Sequence, residues 1–261
     1  MADPTAPLAL RRWGDPTLPP LVLLHGFLGS SADWQPVADA LGQRFHCIAV
    51  DLPGHGDSAQ VQLTTPPAFE HCVDLLLASL RALPRFHLLG YSLGGRLALH
   101  LAQHLQSSQP QRLLSLTLES AHPGLTDPAQ RQQRLEADAC WHQSMLDQPM
   151  QTFLDAWYRQ GVFADLSDAR RAQMIAARSG NDPRALSALY LGTSLGHQSD
   201  LRGLANAMPI RLLTGEHDTK FSEMGQHWAA RTALSHRVIR AGGHNLHAGA
   251  PEAFVAAFCA Q

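Results

Sequence analysis

With 261 residues, 45% of them apolar and 16% charged, the chain can bury one large core that carries an insertion. A formal net charge of −2 without any Lys/Arg block excludes a nucleic-acid or membrane-surface protein. Cys47, Cys72, Cys140 and Cys259 show no C-x-x-C spacing and read as reduced thiols in apolar surroundings. The fifteen histidines show no metal-ligand spacing, so no metal site is expected. Residues 1–7 lack a basic stretch followed by an apolar one, and no segment approaches a membrane span; a cytoplasmic location is the expectation.

Leu8–Trp13 reads as an edge strand closed by Gly14-Asp15-Pro16. Leu21–Leu24 is apolar at every position, the mark of a strand buried on both faces. His25-Gly26-Phe27-Leu28-Gly29 follows as a loop whose glycines let backbone N–H groups turn toward a ligand. A helix is expected from Ser31 to about Gln43 and a strand over Phe45–Val50. The turn-rich loop Asp51–Ser58 carries two acids, Asp51 and Asp57, read as acceptors that fix the loop. Pro66–Leu83 is helical, with Phe69, Val73, Leu76, Leu77 and Leu80 on one side.

Phe86–Leu89 then leads into Gly90-Tyr-Ser-Leu-Gly94, a G-x-S-x-G elbow in which a strand reverses at once into a helix. That helix carries Leu93, Leu97, Ala98, Leu101, Ala102 and Leu105 at helical spacing, so Ser92 stands at a helix N-terminus above a sheet. Leu113–Leu118 is a further strand. From His122 to Asn206 the rhythm changes to helix formers without β-branched runs, with helices over Ala129–Leu146, Met150–Arg159, Ser167–Arg178 and Arg184–Thr193. Such an insertion, placed after the sixth strand of a sheet of this kind, reads as a helical cap. Strands return at Pro209–Thr214 and His236–Arg240, with helices over about Phe221–Arg231 and Pro251–Cys259. The expected fold is therefore α/β, a mostly parallel, doubly wound sheet (1–121 and 207–261) with a cap at 122–206.

An acid after a late strand and a histidine after the last one follow the elbow serine in the order Ser, Asp, His. Ser92, Asp218 and His244 fill those places, with His247 as an alternative histidine. A serine hydroxyl is too weak an acid to ionise near neutral pH, so an imidazole must take its proton and a carboxylate must hold the ring in the right tautomer. The N–H groups of Phe27 and Leu93 are placed to form an oxyanion hole. The triad by itself leaves open whether Ser92 acts as a nucleophile, as in an esterase or C–C bond hydrolase, or as a base. A ligand-binding receptor on the same fold would have no need of Ser92.

The chain resembles the α/β-hydrolase superfamily throughout. Within it, the chain is similar to the 2-succinyl-6-hydroxy-2,4-cyclohexadiene-1-carboxylate synthase family of menaquinone biosynthesis. The residues that carry the closer likeness are Gly90–Arg96, Glu119–Leu125, Arg131-Gln-Gln-Arg134, Trp157-Tyr158, Ala177–Asn181, Thr193-Ser-Leu195, Gly215–Phe221 and His244-Asn245. The resemblance implies a lyase eliminating pyruvate from a cyclohexene that bears three carboxylates, without metal or organic cofactor. It implies Ser92 as the base, relayed by His244, and Arg96, Arg134, Arg178 and Lys220 as carboxylate partners, with Tyr91, Trp157 and Tyr158 lining the site. Arg96 also has a reason of its own, since four residues beyond the nucleophile is one helical turn. The segment 122–206 holds eight Arg against nine Asp/Glu, so no basic surplus marks an anion site. The doubled glycine before His244 and the stretch Cys140–Thr152 depart from the family pattern. The expected partner is a small tricarboxylate, acted on by a monomer or weak homo-oligomer, with no nucleic acid and no membrane.

Overall fold

A strand that is apolar at every position must be covered on both faces, and the side-chain period of two sends alternate residues to opposite layers. In the computed structural model, which describes residues 7–61, 63 and 66–260, the run Leu21–Leu24 does this. Leu21 and Leu23 enter one core cluster, and Val22 and Leu24 the other. The seven described strands are β1 (Leu10–Trp13), β2 (Pro20–Leu24), β3 (His46–Val50), β4 (Phe86–Tyr91), β5 (Leu113–Glu119), β6 (Ile210–Gly215) and β7 (Ser235–Ile239). They form one sheet in the order β1-β3-β2-β4-β5-β6-β7. β1 runs antiparallel to β3 and every other pair is parallel.

Helices cover both faces. On one lie α1 (Gln35–Gly42) and the final helix, whose Val37, Leu41, Phe254 and Phe258 pack with Trp34 on Leu21, Leu23 and Leu89. On the other lie α2 (Phe69–Ser79) and α3 (Leu93–Ser108), whose Phe69, Leu76, Leu97 and Leu101 cover Val22, Leu88 and Leu116. The expected helix from Ser31 divides into a 3-10 turn, Ser31–Trp34, and α1, because Pro36 sits in its first turn without an N–H to donate. α2 likewise begins at Phe69 rather than Pro66, after two prolines.

Between β5 and β6 lie α4 (Pro128–Asp147), α5 (Met150–Trp157), α6 (Asp168–Arg178), α7 (Pro183–Gly192) and the short α8 (Leu204–Ala207). This insertion follows the fifth described strand rather than a sixth, since no further strand precedes β1 among the described residues. Asp127, Ser167 and Asp182 cap α4, α6 and α7 by accepting from first-turn N–H groups. The insertion has its own apolar cluster of Met145, Phe153, Leu154, Tyr158, Met174, Leu186 and Tyr190, and Leu28 from the loop after β2 is a member of it. Asn181 donates to Leu28 O at 2.9 Å and Ala68 N to Gly192 O at 2.8 Å, tying the inserted helices to the sheet. After β6 come α9 (Thr219–Ala229), α10 (Leu246–Gly249) and α11 (Pro251–Cys259).

Cys47 and Cys72 are buried as small hydrophobes, but Cys140 is exposed. α4 buries only Asp138 and Met145, and Cys140, two residues from Asp138, falls on its outer side. The leader reading of the first residues concerns positions that, but for Pro7, lie outside the described ones. Among the described residues no helix is long and apolar enough to cross a membrane.

The elbow depends on missing side chains. A Cβ on Gly90 would stand 2.5 Å from Gly94 O and 2.6 Å from Gly95 Cα, both backbone atoms that cannot swing aside. Gly90→Ala is expected to destabilise the protein by about 1–3 kcal/mol in urea denaturation. Gly161→Ala, where an added Cβ meets nothing within 4 Å, is the control expected to leave the midpoint in place.

Candidate active site

β4 ends at Tyr91 and α3 begins at Leu93, so Ser92 alone makes the reversal, at φ 50° and ψ −110°. A non-glycine residue there is strained, and the strain projects the side chain off the C-terminal edge of the sheet. Ser92 N donates to Glu119 O at 2.9 Å, which fastens the elbow to β5. His244, on the loop after β7, brings Nε2 to 3.3 Å from Ser92 Oγ. Its Nδ1 lies 2.6 Å from Asp218 Oδ2 at the end of β6. A carboxylate only accepts, so Nδ1–H donates to Asp218 and Nε2 is left to accept from the serine. The ring is boxed by Phe221, Tyr91 and Phe163 at centroid distances of 4.7, 5.5 and 5.8 Å.

His247 is occupied elsewhere. It is buried, stacks on Trp34 at 4.1 Å and donates from Nδ1 to Glu119 at 2.8 Å. The same carboxylate accepts Leu246 N at 2.6 Å and His247 N at 3.1 Å. The doubled glycine also has a packing reason: a Cβ on Gly242 would run into the Leu246 side chain, and one on Gly243 into the Asp165 carboxylate.

The loop after β2 is fixed by three buried groups. His25 Nε2 accepts Leu52 N at 3.0 Å and His55 Nε2 accepts Leu28 N at 3.1 Å. Their Nδ1–H groups donate to Gly26 O and Pro53 O. Asp51 accepts Ser31 N at 2.6 Å and Asp57 N at 3.0 Å, so Asp51 fixes the loop as an acceptor, while exposed Asp57 enters it through its backbone N–H rather than its carboxylate. Among the described residues neither Phe27 N nor Leu93 N donates to another group.

Ser92, Phe27 and Leu93 open on a cavity of about 110 Å³ whose wall also carries Arg96, Arg134, Trp157, Tyr190, Ser120 and His122. Arg96 reaches it from the first turn of α3. Its Nη1 donates to Thr193 O at 2.6 Å, and among the described residues no carboxylate pairs with it. Burial and then Arg134 pull its pKa down to about 9, so it is a charged group in want of an anion. Arg134 spends only Nε, at 2.8 and 2.9 Å, on the buried Asp138, which also accepts from Tyr190 and Ser194.

Four expected lining residues stand apart from this cavity. Arg178 is held at 2.7 Å by Asp33 and opens on a separate pocket beside Asn245. Tyr91 lies beneath His244 and His247. Tyr158 packs edge-on to Phe163 at 5.1 Å. Lys220 faces the outer side of α9, its Nζ 5.9 Å from the Phe221 ring centroid. Glu119, Asp138, Tyr190, Ser120 and His122 were not singled out from the sequence. The Glu119–Leu125 motif contains three of them, but a motif does not say which members face a ligand.

Comparison with known proteins agrees with this architecture. Residues 19–251 match the alpha/beta hydrolase fold family. The chain is 40% identical over 255 residues to the 2-succinyl-6-hydroxy-2,4-cyclohexadiene-1-carboxylate synthase of Enterobacter sp. (strain 638), covering 96% of this chain and 93% of that one. It is 38% identical over 253 residues to the enzyme of that name from Escherichia coli (strain K12), covering 95% of each. The structure of MenH from S. aureus superposes with a TM-score of 0.84 at 25% identity, covering 96% of this chain and 95% of that one.

Burial holds His25 and His55 neutral, His55 with a pKa of about 3, and His122 is also lowered to about 3. A histidine lowered on folding binds its proton in the unfolded chain first, so stability falls as pH drops below about 6.5. His55 and His122 are each expected to cost about 2 kcal/mol between pH 7 and pH 5. Urea midpoints across that range test this, and a flat profile would contradict it.

Proposed function

The chain belongs to the alpha/beta hydrolase fold family and, within it, to the 2-succinyl-6-hydroxy-2,4-cyclohexadiene-1-carboxylate synthases, and on that premise we propose how its residues divide the work. The reaction is the 2,5-elimination of pyruvate from 2-succinyl-5-enolpyruvyl-6-hydroxy-3-cyclohexene-1-carboxylate. The observation that carries this reading is a Ser92–His244–Asp218 line that opens on a cavity holding two arginines, in a chain 40% identical to a synthase of that name.

Ser92 gives its proton to His244 Nε2, and Asp218 stabilises the imidazolium through Nδ1–H. The serine oxygen takes the ring C2 proton, acidified by the adjacent succinyl ketone. The electron pair moves onto the ketone oxygen, which the N–H groups of Phe27 and Leu93 receive at the positive end of α3. Collapse of this enolate forms the C2–C3 double bond, shifts the ring double bond to C4–C5 and expels the enolpyruvyl oxygen. The released enolpyruvate takes up a proton at carbon to become pyruvate. No acyl-enzyme forms, which separates this chemistry from that of an esterase with the same triad.

Arg96 and Arg134 grip substrate carboxylates, for which a planar guanidinium fork is suited. Trp157 supplies an apolar wall. Residues 122–206 act as one cap over the core of 1–121 and 207–261. Tyr91 and Tyr158 support the site from behind, and Lys220 and Arg178 act through their charge at longer range. On this reading the enzyme works in the cytoplasm, as a monomer or weak homo-oligomer, on a small soluble molecule.

Pyruvate release from the enolpyruvyl substrate, coupled to lactate dehydrogenase, is expected to fall at least 1,000-fold in Ser92→Ala, as when a triad member is removed. Release by the wild type no faster than the spontaneous background would overturn the lyase reading. Arg134→Ala is expected to raise KM roughly 10- to 100-fold with a smaller change in kcat, as for loss of a charged hydrogen bond in binding. An unchanged KM would remove Arg134 from carboxylate recognition.

A further inference from the structure

The loop after β5 is built more firmly than a connection requires. Ser120 turns it at φ 47°, and Gly124, at φ 123°, packs against Ser199 O. Three successive carbonyls are then bound: His122 O accepts Gln198 Nε2 at 2.9 Å, Pro123 O accepts Leu201 N at 2.8 Å, and Gly124 O accepts Arg202 Nη2 at 2.8 Å. Gln198 also lies 3.4 Å from Arg96 Nη1, so this loop and the arginine share a support.

What the loop presents is the His122 ring. Its Nδ1 accepts Gly124 N at 3.0 Å, which fixes the orientation and, in the neutral ring, leaves the proton on Nε2. Among the described residues Nε2 has no partner, and the ring lines the Ser92 cavity with Arg96 and Arg134. Ring burial comes first in keeping the imidazole neutral, and the positive charges around it, Arg202, Arg96, Lys220 and Arg134, all act in the same direction. A neutral imidazole with a pinned tautomer is a fixed donor, unlike a cationic one that would compete with the arginines for the same anion.

We propose that His122 Nε2–H is a specificity-determining hydrogen-bond donor to a carboxylate oxygen of the substrate, in the cavity shared with Arg96 and Arg134. The inference rests on the lyase reading for the identity of the substrate. It requires only the loop geometry for the donor. His122 directs one N–H along a fixed line, whereas each arginine offers a broad field, so the two kinds of group divide orientation and attraction between them.

Two variants separate this role from a structural one. In His122→Asn the side-chain oxygen can still accept Gly124 N, but no donor reaches the Nε2 position. In His122→Gln the amide N–H₂ reaches that position, but the acceptor for Gly124 N is lost. With melting temperature recorded for each, pyruvate release is measured together with calorimetric binding of the dicarboxylate product, 2-succinyl-6-hydroxy-2,4-cyclohexadiene-1-carboxylate. The expected result is a His122→Asn protein that melts like the wild type, with KM and product Kd raised roughly 10- to 100-fold, the range for losing a hydrogen bond to a charged group. His122→Gln is expected to bind product within about 5-fold of wild type even where its melting temperature falls. The opposite order, with His122→Asn unaffected and His122→Gln impaired, would assign the ring to the loop alone and overturn the proposal. A wild type that binds product but releases no pyruvate would sink the lyase reading instead, and the two binding constants would still decide the role of His122.

Discussion

One buried residue holds Ser92 and the loop of His244 in register. Glu119 ends β5, between β4, which leads into Ser92, and β6, which leads into Asp218. Its carbonyl oxygen takes the N–H of Ser92, and its carboxylate takes two N–H groups and an imidazole just after His244. A serine at positive φ stays there only if its surroundings over-determine it, and a histidine on a loop holds a tautomer only if the loop is fixed. Both conditions are met at the same residue. A buried, fully hydrogen-bonded carboxylate is costly to half-satisfy, so this network gives the edge of the sheet a single arrangement.

The electrostatics of the cavity follow from an imbalance. Arg96 and Arg134 face it, and the buried carboxylate that meets Arg134, Asp138, is shared with Tyr190 and Ser194. Two cations set against one neutralised acid leave a positive pocket in low dielectric, where an anion is bound more strongly than at the surface. Burial first, and the same field after it, keep His122 neutral. Near-neutral net charge over the whole chain therefore says nothing about this site, since the surplus is local.

The sequence made the sheet legible because its central strands are apolar without interruption and its elbow has few steric solutions. Chain order picked out Ser92, Asp218 and His244, whose side chains the fold brings together; Asp51, read as a loop acceptor, accepts two backbone N–H groups, whereas Asp57, read the same way, enters the loop only through its own N–H. Chain order favoured His244 and kept His247 as the alternative, because the difference between them lies in which neighbouring element supplies a carboxylate. The cap was the least legible part. Arg178 carries the right chemistry but is matched by Asp33, 145 residues away, and such a pairing leaves no periodic or local trace. Cys140 looked apolar by its neighbours in sequence, yet α4 is so sparsely buried that its outer side takes whatever residue falls there.

Phe27 belongs to two assemblies at once. It lines the Ser92 cavity, and its ring touches Tyr190 at 4.8 Å and Trp157 at 5.3 Å from the inserted helices, and His55 at 5.7 Å from the sheet side. Two of the three rings that seat it thus come from the insertion. The insertion is then no interchangeable accessory of the scaffold. Grafting it onto a related sheet, or trimming it away, would unseat Phe27 and the cavity wall beside Ser92, so modular exchange between relatives must carry the β2 loop and the inserted helices as one inherited unit.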